Sequence, residues 1–442
     1  MTAPAAHTGR IRLDQPARFR AVASWVLYDL ANTIFSMGVV SLYFPEWMRS
    51  VVGKNQADSR VAWITALSMG IIFVVSPLLG AMSDRARKRM PFLVVSTAGC
   101  VMCTLLLVSA GYWGSVIAFI AANAFYQAGL QFYDSLLVEV TTDANRGRIG
   151  GIGVGIGYVG SFIAIAIGLL AGKSDFALLF ILIAIFFLAF AIPCFLFVKE
   201  RGNPNPGSLF NLRFLVSSTR ETVRALRQSE RFPGLGRFLI GRVFYTDAIN
   251  TVIAFMTLVA LNVLEGAGRS EENASDEKDL IMGLAILFAI AGGFVWGRIV
   301  DRLGPKQTLD IVLYWWIATF ALASAMGLFG LPPVTLWFVS SMSGIGLGGV
   351  WSADRPLMLR LTPPGRIGEF YGLYGMVGRF SAILGPILWW AVTSFSQDIL
   401  HYDELTSQGF AIATLLVMVV TGWRILRSVN DRPRDWAALQ SH

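Results

Sequence analysis

The sequence holds three histidines, and all of them, His7, His401 and His442, fall in the tails or in a loop between apolar runs. That excludes a histidine metal site or an imidazole proton relay inside those runs. Cysteine is equally scarce. Cys100, Cys103 and Cys194 all sit in apolar stretches, and the Cys100-x-x-Cys103 spacing there reads as core packing rather than redox chemistry. Charged residues make up 14% of the chain, against about 25% in a typical soluble protein. No Walker sequence is present, so ATP hydrolysis is not expected to drive this protein. "GIGYVG" (155–160) and "GIGLGG" (344–349) match a dinucleotide-binding pattern formally, but both lie in apolar runs with no preceding strand. Glycine there allows close helix packing. With no nucleophile–base or metal constellation, neither an enzyme nor a cofactor is expected. Met1 to Arg20 is polar and basic, without an apolar core or a small-residue cleavage site, and so does not read as a signal peptide.

What the chain has is hydrophobicity: 55% of residues, with a mean hydropathy of +0.60. A membrane span needs roughly 20 mainly apolar residues. Runs of that kind predict an all-α membrane protein of about twelve helices, at 21–44, 61–82, 91–110, 115–139, 148–171 and 176–198, then 236–261, 279–300, 308–330, 334–359, 367–394 and 408–427. Alternate connections are basic: the N-terminus, "SDRARKRM", the central stretch from Lys199 to Arg231, and the tail. Those between them are neutral ("SAGYWGS", "GLPPVT") or mostly acidic ("EGAGRSEENASDEKD"). The bias places both termini on the cytoplasmic side of the membrane. It also accounts for the net charge of +8 without a nucleic-acid partner. The expected organisation is a six-helix bundle over 1–198, a linker over 199–235 and a second bundle over 236–442. Within the linker, Leu212, Leu215, Thr219, Val223 and Leu226 recur at helical spacing, as in an amphipathic helix on the membrane surface or a bridge between bundles.

One short stretch breaks the apolar pattern. "YDLANTIF" puts Asp29 and Asn32 on one helix face, where a carboxylate alone costs about 2.5–3.5 kcal/mol on insertion scales. The motif recurs as "YTDAINTVIAF", with Asp247, Asn250 and Thr251 lying 218 residues after Asp29, Asn32 and Thr33. "GAMSDRARKR" and "GRIVDRLGPK" repeat at nearly that offset, as do two copies of "GRIG" and the pair Asp134 and Asp354. The chain therefore reads as two six-helix halves in parallel, related by an axis along the membrane normal. Asp29 and Asp247 are then expected to face each other across a transport pathway.

"GAMSDRARKR" and "GRIVDRLGPK" resemble the Gly-x-x-x-Asp-Arg-x-Gly signature of the major facilitator superfamily. The second copy fits with Gly304 and Lys306; the first has Arg87 where the glycine belongs. "SWVLYDLANTIFS", "RGRIGGIGVGIGYVG" and "RLTPPGRIGEFYGLYGMVGR" are similar to the autophagy-related vacuole-effluxer branch, whose first segment commonly has serine where Thr33 stands here. The resemblance implies the two-bundle fold, secondary transport and, from the fungal relatives, efflux of amino acids.

The residues themselves suggest roles. Asp84 and Arg85, with Arg366 in "PPGRIG", are expected to close a cytoplasmic gate against a helix N-terminus. Asp301 and Arg302 are expected to do the same against Arg148. Asn123, Gln127, Gln131 and Asp134 form a polar stripe that lines a cavity or bonds another helix. Asp134, Asp354 and Arg355 read as gate or substrate residues. Arg379 is a deep cation that needs Asp29, Asp247 or a substrate carboxylate. Asp29, Asn32, Gln127, Gln131, Asp247, Asn250 and Arg379 are the expected substrate ligands, and Asp29 and Asp247 the expected proton carriers. The function expected is proton-coupled export of a small polar solute by a monomer in the bilayer. Two rivals stand beside it: a lipid or amphipathic-drug exporter, and a non-transporting sensor or scaffold.

Overall fold

A computed structural model describes residues 18–107, 109–172, 175–203, 207, 232, 234–380 and 384–432. Among these residues all regular structure is helical, as a chain buried in hydrocarbon requires: each backbone N–H and C=O must be paired within its own segment. The helices of the first half are α1 (Phe19–Phe35), α2 (Phe44–Val52), α3 (Lys54–Arg85), α4 (Met90–Leu105), α5 (Gly111–Ser135), α6 (Leu137–Val140), α7 (Arg146–Ala171) and α8 (Phe176–Phe197). Those of the second are α9 (Leu235–Gly266), α10 (Glu271–Leu303), α11 (Pro305–Phe329), α12 (Val334–Leu361), α13 (Ile367–Phe380), α14 (Leu384–Asp398) and α15 (Glu404–Leu426). The amphipathic segment expected over 212–226 lies outside the described residues.

Among the described residues, ten helical stretches are long and apolar enough to cross a membrane. The first runs from Phe19 to Val52 through a wider π-helical segment, Ser36–Tyr43, well past the expected end at 44. The other two expected spans differ in kind. Met90–Leu105 is a shorter apolar helix of 16 residues. Gly111–Ser135 is long enough, but its polar stripe dilutes its hydropathy. The eleventh expected span, 367–394, is α13 and α14 on either side of 381–383.

Two buried cores organise the chain. One is drawn from Trp25 to Val198, the other from Phe232 to Val429. Apolar side chains such as Leu170, Val74, Trp113 and Phe329 point outward instead, each more than 70% exposed, as lipid-facing residues do. The two halves meet chiefly through α3 against α13 and α7 against α10. Glycine sets the second of these contacts: a Cβ on Gly151 would lie 2.3 Å from the Gly293 carbonyl oxygen and 2.7 Å from the Gly297 Cα. Gly344 and Gly348 of "GIGLGG" likewise press α12 onto α10, with ideal Cβ positions 2.2 Å from the Ala285 oxygen and 2.4 Å from the Gly293 nitrogen. In "GIGYVG" a Cβ on Gly155 would lie 3.0 Å from the Ile290 oxygen and one on Gly160 2.5 Å from the Leu30 oxygen, so both glycine runs are helix-packing surfaces.

Candidate functional site: a charged cavity between the halves

A cavity of about 420 Å³ lies between the halves. From α1 it is lined by Asp29, Asn32 and Thr33, and from the first residue of the π-helical segment by Ser36; their spacing of three, four and seven keeps them on one face. From α5 it receives Tyr126, Gln127, Gln131 and Asp134. The second half contributes Arg242, Thr246 and Asn250 from α9, Trp351 and Arg355 from α12, and Tyr371, Tyr374 and Arg379 from α13.

Arg355 crosses between the halves. Its guanidinium lies 3.3 Å from a carboxylate oxygen of Asp29 and 3.1 Å from one of Asp134, so one cation serves two acids. Asp134 and Arg355 therefore line the cavity. Asp354, their neighbour in sequence, sits behind it and is fully buried. It accepts from Arg242 at 2.8 Å, from the Tyr245 hydroxyl at 2.6 Å and from the Tyr374 hydroxyl at 2.9 Å. Arg242 also stacks on the Tyr374 ring, 3.7 Å from its centroid.

Arg379 does not meet Asp29 or Asp247. It donates to Ser76 Oγ at 2.9 Å and to the Gln127 carbonyl at 2.7 Å, and among the described residues it forms no ion pair. Ser76 donates in turn to Gln131 Oε1 at 2.5 Å, which binds α3, α5 and α13 together. Gln127 and Gln131 thus reach the cavity partly through this network. The amide of Asn32 is buried with neither polar atom hydrogen-bonded.

Asp247 departs from its expected place. It does not line the cavity. One carboxylate oxygen accepts from the Gly385 N–H at 2.9 Å, at the start of α14, and the other has no hydrogen-bond partner. The reason is helical phase. On α9 the cavity face is Arg242, Thr246 and Asn250, at steps of four, and Asp247 is rotated about 100° away from it.

At the end of the bundle carrying the basic connections, each half places a carboxylate on a helix start of the other. Asp84 accepts from the N–H groups of Gly368 and Glu369, both at 2.7 Å, and from Arg89 at 3.0 Å. Asp301 accepts from Gly147 at 2.7 Å and from Arg148 at 3.1 Å. The partners are helix N-termini, where unpaired N–H groups and the helix dipole favour an anion. Arg366 does not pair with Asp84. It forms a two-point contact with Glu369, one turn further on, at 2.6 and 2.5 Å. Arg148 meets Asp301 through its backbone. Arg85 and Arg302 stand in the last turns of α3 and α10. Sequence reasoning missed Ser76, Tyr245, Tyr374 and Glu369, and gave no role to Arg89, which stands in the repeated basic motif at the place of Lys306.

The family model of the Major Facilitator Superfamily matches residues 30–386. The chain belongs to that superfamily. Its members are transporters rather than enzymes, and this protein is a membrane-embedded secondary transporter of that family. It is 25% identical to the uncharacterized MFS-type transporter YxiO of Bacillus subtilis, over 92% of this chain and 94% of that one. It is 24% identical to autophagy-related protein 22-1 of Aspergillus fumigatus over 66% of this chain, and spans half the length of that relative. The crystal structure of the human organic anion transporter MFSD10 shares the fold, with a TM-score of 0.71 at 14% identity, covering 93% of this chain and 100% of that one.

Proposed function

We propose that the protein exports a small zwitterionic solute, an amino acid by preference, in exchange for protons, by alternating access between its two six-helix bundles. One observation carries the reading: Arg355 is shared by Asp29 and Asp134 across the interface, while Arg379 lines the same cavity with no acid partner among the described residues. The first group has an excess of negative charge, the second an excess of positive charge. A solute bearing both an ammonium and a carboxylate complements both. Asn32 and Asn250 offer it donors and acceptors.

Coupling follows from the same contacts. A proton or a substrate ammonium at Asp29 competes with Arg355 and loosens the tie between the halves. A ligand shifts a conformational equilibrium only through such a difference in contacts. Asp84 and Asp301 form the cytoplasmic gate in this reading, flanked by Arg85, Arg148, Arg302 and Arg366, and their contacts across the halves support a state closed on that side. Asp247 holds the start of α14 and is not the coupling carboxylate in this reading. The similarity to the effluxer branch supports amino acids and export. The density of charge in the cavity argues against a lipid or amphipathic drug.

A thermal-shift screen of purified protein against amino acids, peptides, nucleosides and lipids tests the substrate class, since a ligand that binds only the native state raises its stability. Stabilisation by no amino acid would remove that class. In proteoliposomes, Asp29→Asn is expected to cut pH-driven accumulation about tenfold or more, a loss of ~1.4 kcal/mol of coupling, while exchange at zero gradient persists. Asp247→Asn is expected to accumulate substrate as the wild type does. Normal accumulation by Asp29→Asn removes Asp29 from the coupling step. Loss of both accumulation and exchange makes it a substrate ligand instead.

A further inference from the structure

A second hollow, of about 1260 Å³, lies on the outer flank of the first half between α3, α4 and α5. Its walls are apolar, with Val75 and Leu79 from α3, Phe92 and Val95 from α4, and Ala124 and Phe125 from α5. It faces outward: Val95 is 64% and Phe125 37% exposed. At one end stand Arg87 and Lys88, both exposed, in the connection between α3 and α4.

These two cations are unlike their neighbours. Arg89 is held by Asp84 at 3.0 Å, whereas neither Arg87 nor Lys88 forms an ion pair among the described residues. In the second copy of the motif their places are taken by Gly304 and Pro305, and the next cation, Lys306, is paired with Asp310 at 2.5 Å. The exposed positive pair is therefore peculiar to the first half, and it marks the end of the hollow. Arg87 is also the residue that breaks the signature glycine.

Within a bilayer an apolar groove is filled by acyl chains, and a basic pocket between helices at the membrane surface attracts acidic headgroups. We propose that the groove between α3, α4 and α5 binds an anionic glycerophospholipid. Its chains lie along Val75, Leu79, Phe92 and Phe125, and its phosphate meets Arg87 and Lys88. The site is separate from the central cavity and does not rest on the transport reading.

Full-length protein in a neutral detergent is titrated with phosphatidylglycerol, phosphatidylcholine or glycerol 3-phosphate. Thermal midpoint and lipid retained in native mass spectrometry are read for each. Phosphatidylglycerol is expected to bind at least fivefold more tightly than phosphatidylcholine, and glycerol 3-phosphate to leave the midpoint unchanged. Arg87→Gln with Lys88→Gln, both on exposed side chains, should abolish the preference. Ala124→Phe, which narrows the groove, should weaken both lipids. Equal binding of the two lipids by the wild type overturns the proposal, as does an unchanged preference in the double variant. Stabilisation by glycerol 3-phosphate equal to that by phosphatidylglycerol overturns the lipid as occupant in favour of a free phosphate.

Discussion

Asp134 and Asp354 occupy matching places in the two halves, yet their surroundings are opposite. Asp354 is satisfied inside its own half by Arg242, Tyr245 and Tyr374. At the 218-residue offset, the first half has Ser24, Leu27 and Ile156 in those three places. None of them can supply a charge to Asp134, and Ser24 spends its hydroxyl on the Arg20 carbonyl at 2.7 Å. Asp134 instead takes its cation from Arg355 of the other half, which it shares with Asp29. The same carboxylate is thus a closed structural unit in one half and an open one in the other. The open one depends on how the halves sit, which is the dependence that the proposed transport cycle uses.

Removing the two arginines in turn should break this comparison most visibly. Arg242→Gln leaves Asp354 buried without its counter-charge, and breaking a buried pair costs ~3–5 kcal/mol. A marked fall in thermal midpoint is expected, with transport lost because the second half is destabilised. Arg355→Gln also strands acids, but they line a cavity that water can enter, so the midpoint should fall less. Its signature is functional: coupling should fail in a protein that still folds. Equal loss of stability in both variants would show the two carboxylates to be equivalent after all.

The carboxylates proposed as a gate sharpen the same contrast at the basic end. Asp84 has two backbone donors and Arg89; Asp301 has its two backbone donors and no ion pair within 4 Å among the described residues. An asparagine at either place loses charge assistance worth ~1.5–3 kcal/mol. Both variants should shift the balance toward opening at that end, Asp84→Asn further than Asp301→Asn. Cysteine labelling of cavity positions from the basic side measures the shift. Unchanged labelling in both would remove the gate.

These contrasts also mark what the residues alone could tell. The contacts of Asp84 and Asp301 were legible because their partners are helix N-termini, which any sequence presents at a helix start. The repeat made Asp29 legible for the same reason that it misled about Asp247. It aligns letters, not faces: on α9 Arg242, Thr246 and Asn250 line the cavity and Asp247 lies to one side of them. The Asp29–Arg355 contact spans 326 residues and leaves no local pattern. Arg366 was given the wrong partner because Glu369 lies one turn away on the same helix, nearer than any carboxylate of the other half. The helix Gly111–Ser135 was legible as an apolar run at 115–139, although its polar stripe keeps it out of the ten apolar spans.

The smallest expected effect comes from a structural repeat with no sequence counterpart. After the last helix of the first half, Glu200 accepts the N–H groups of Arg89 and Met90 at the start of α4, at 2.6 and 3.0 Å. After the last helix of the second half, Asp431 accepts the N–H of Lys306 at the start of α11 at 3.2 Å, and also binds Arg360 at 3.1 Å. The two caps do not share the 218-residue offset, so no motif links them. Burial pushes the Glu200 carboxyl above the usual range, outweighing the pull of the two N–H groups and Arg89. A carboxyl raised in the folded state binds more protons there than in the unfolded chain, so stability falls as pH rises. The fall begins near the ordinary glutamate value of about 4.3 and ends above the raised folded value. Glu200→Gln keeps the shape and the acceptor of the protonated acid. It should match the wild type at acid pH and exceed it slightly once the wild-type carboxylate is ionised. Asp431→Asn should go the other way at neutral pH, losing ~0.2–1 kcal/mol with the partly exposed Arg360 pair. Thermal midpoints across pH 4 to 8 (about the range these groups need) give the signs. A wild type that gains on Glu200→Gln as pH rises would mean that hydrogen bonding outweighs burial at this cap, making the two caps alike.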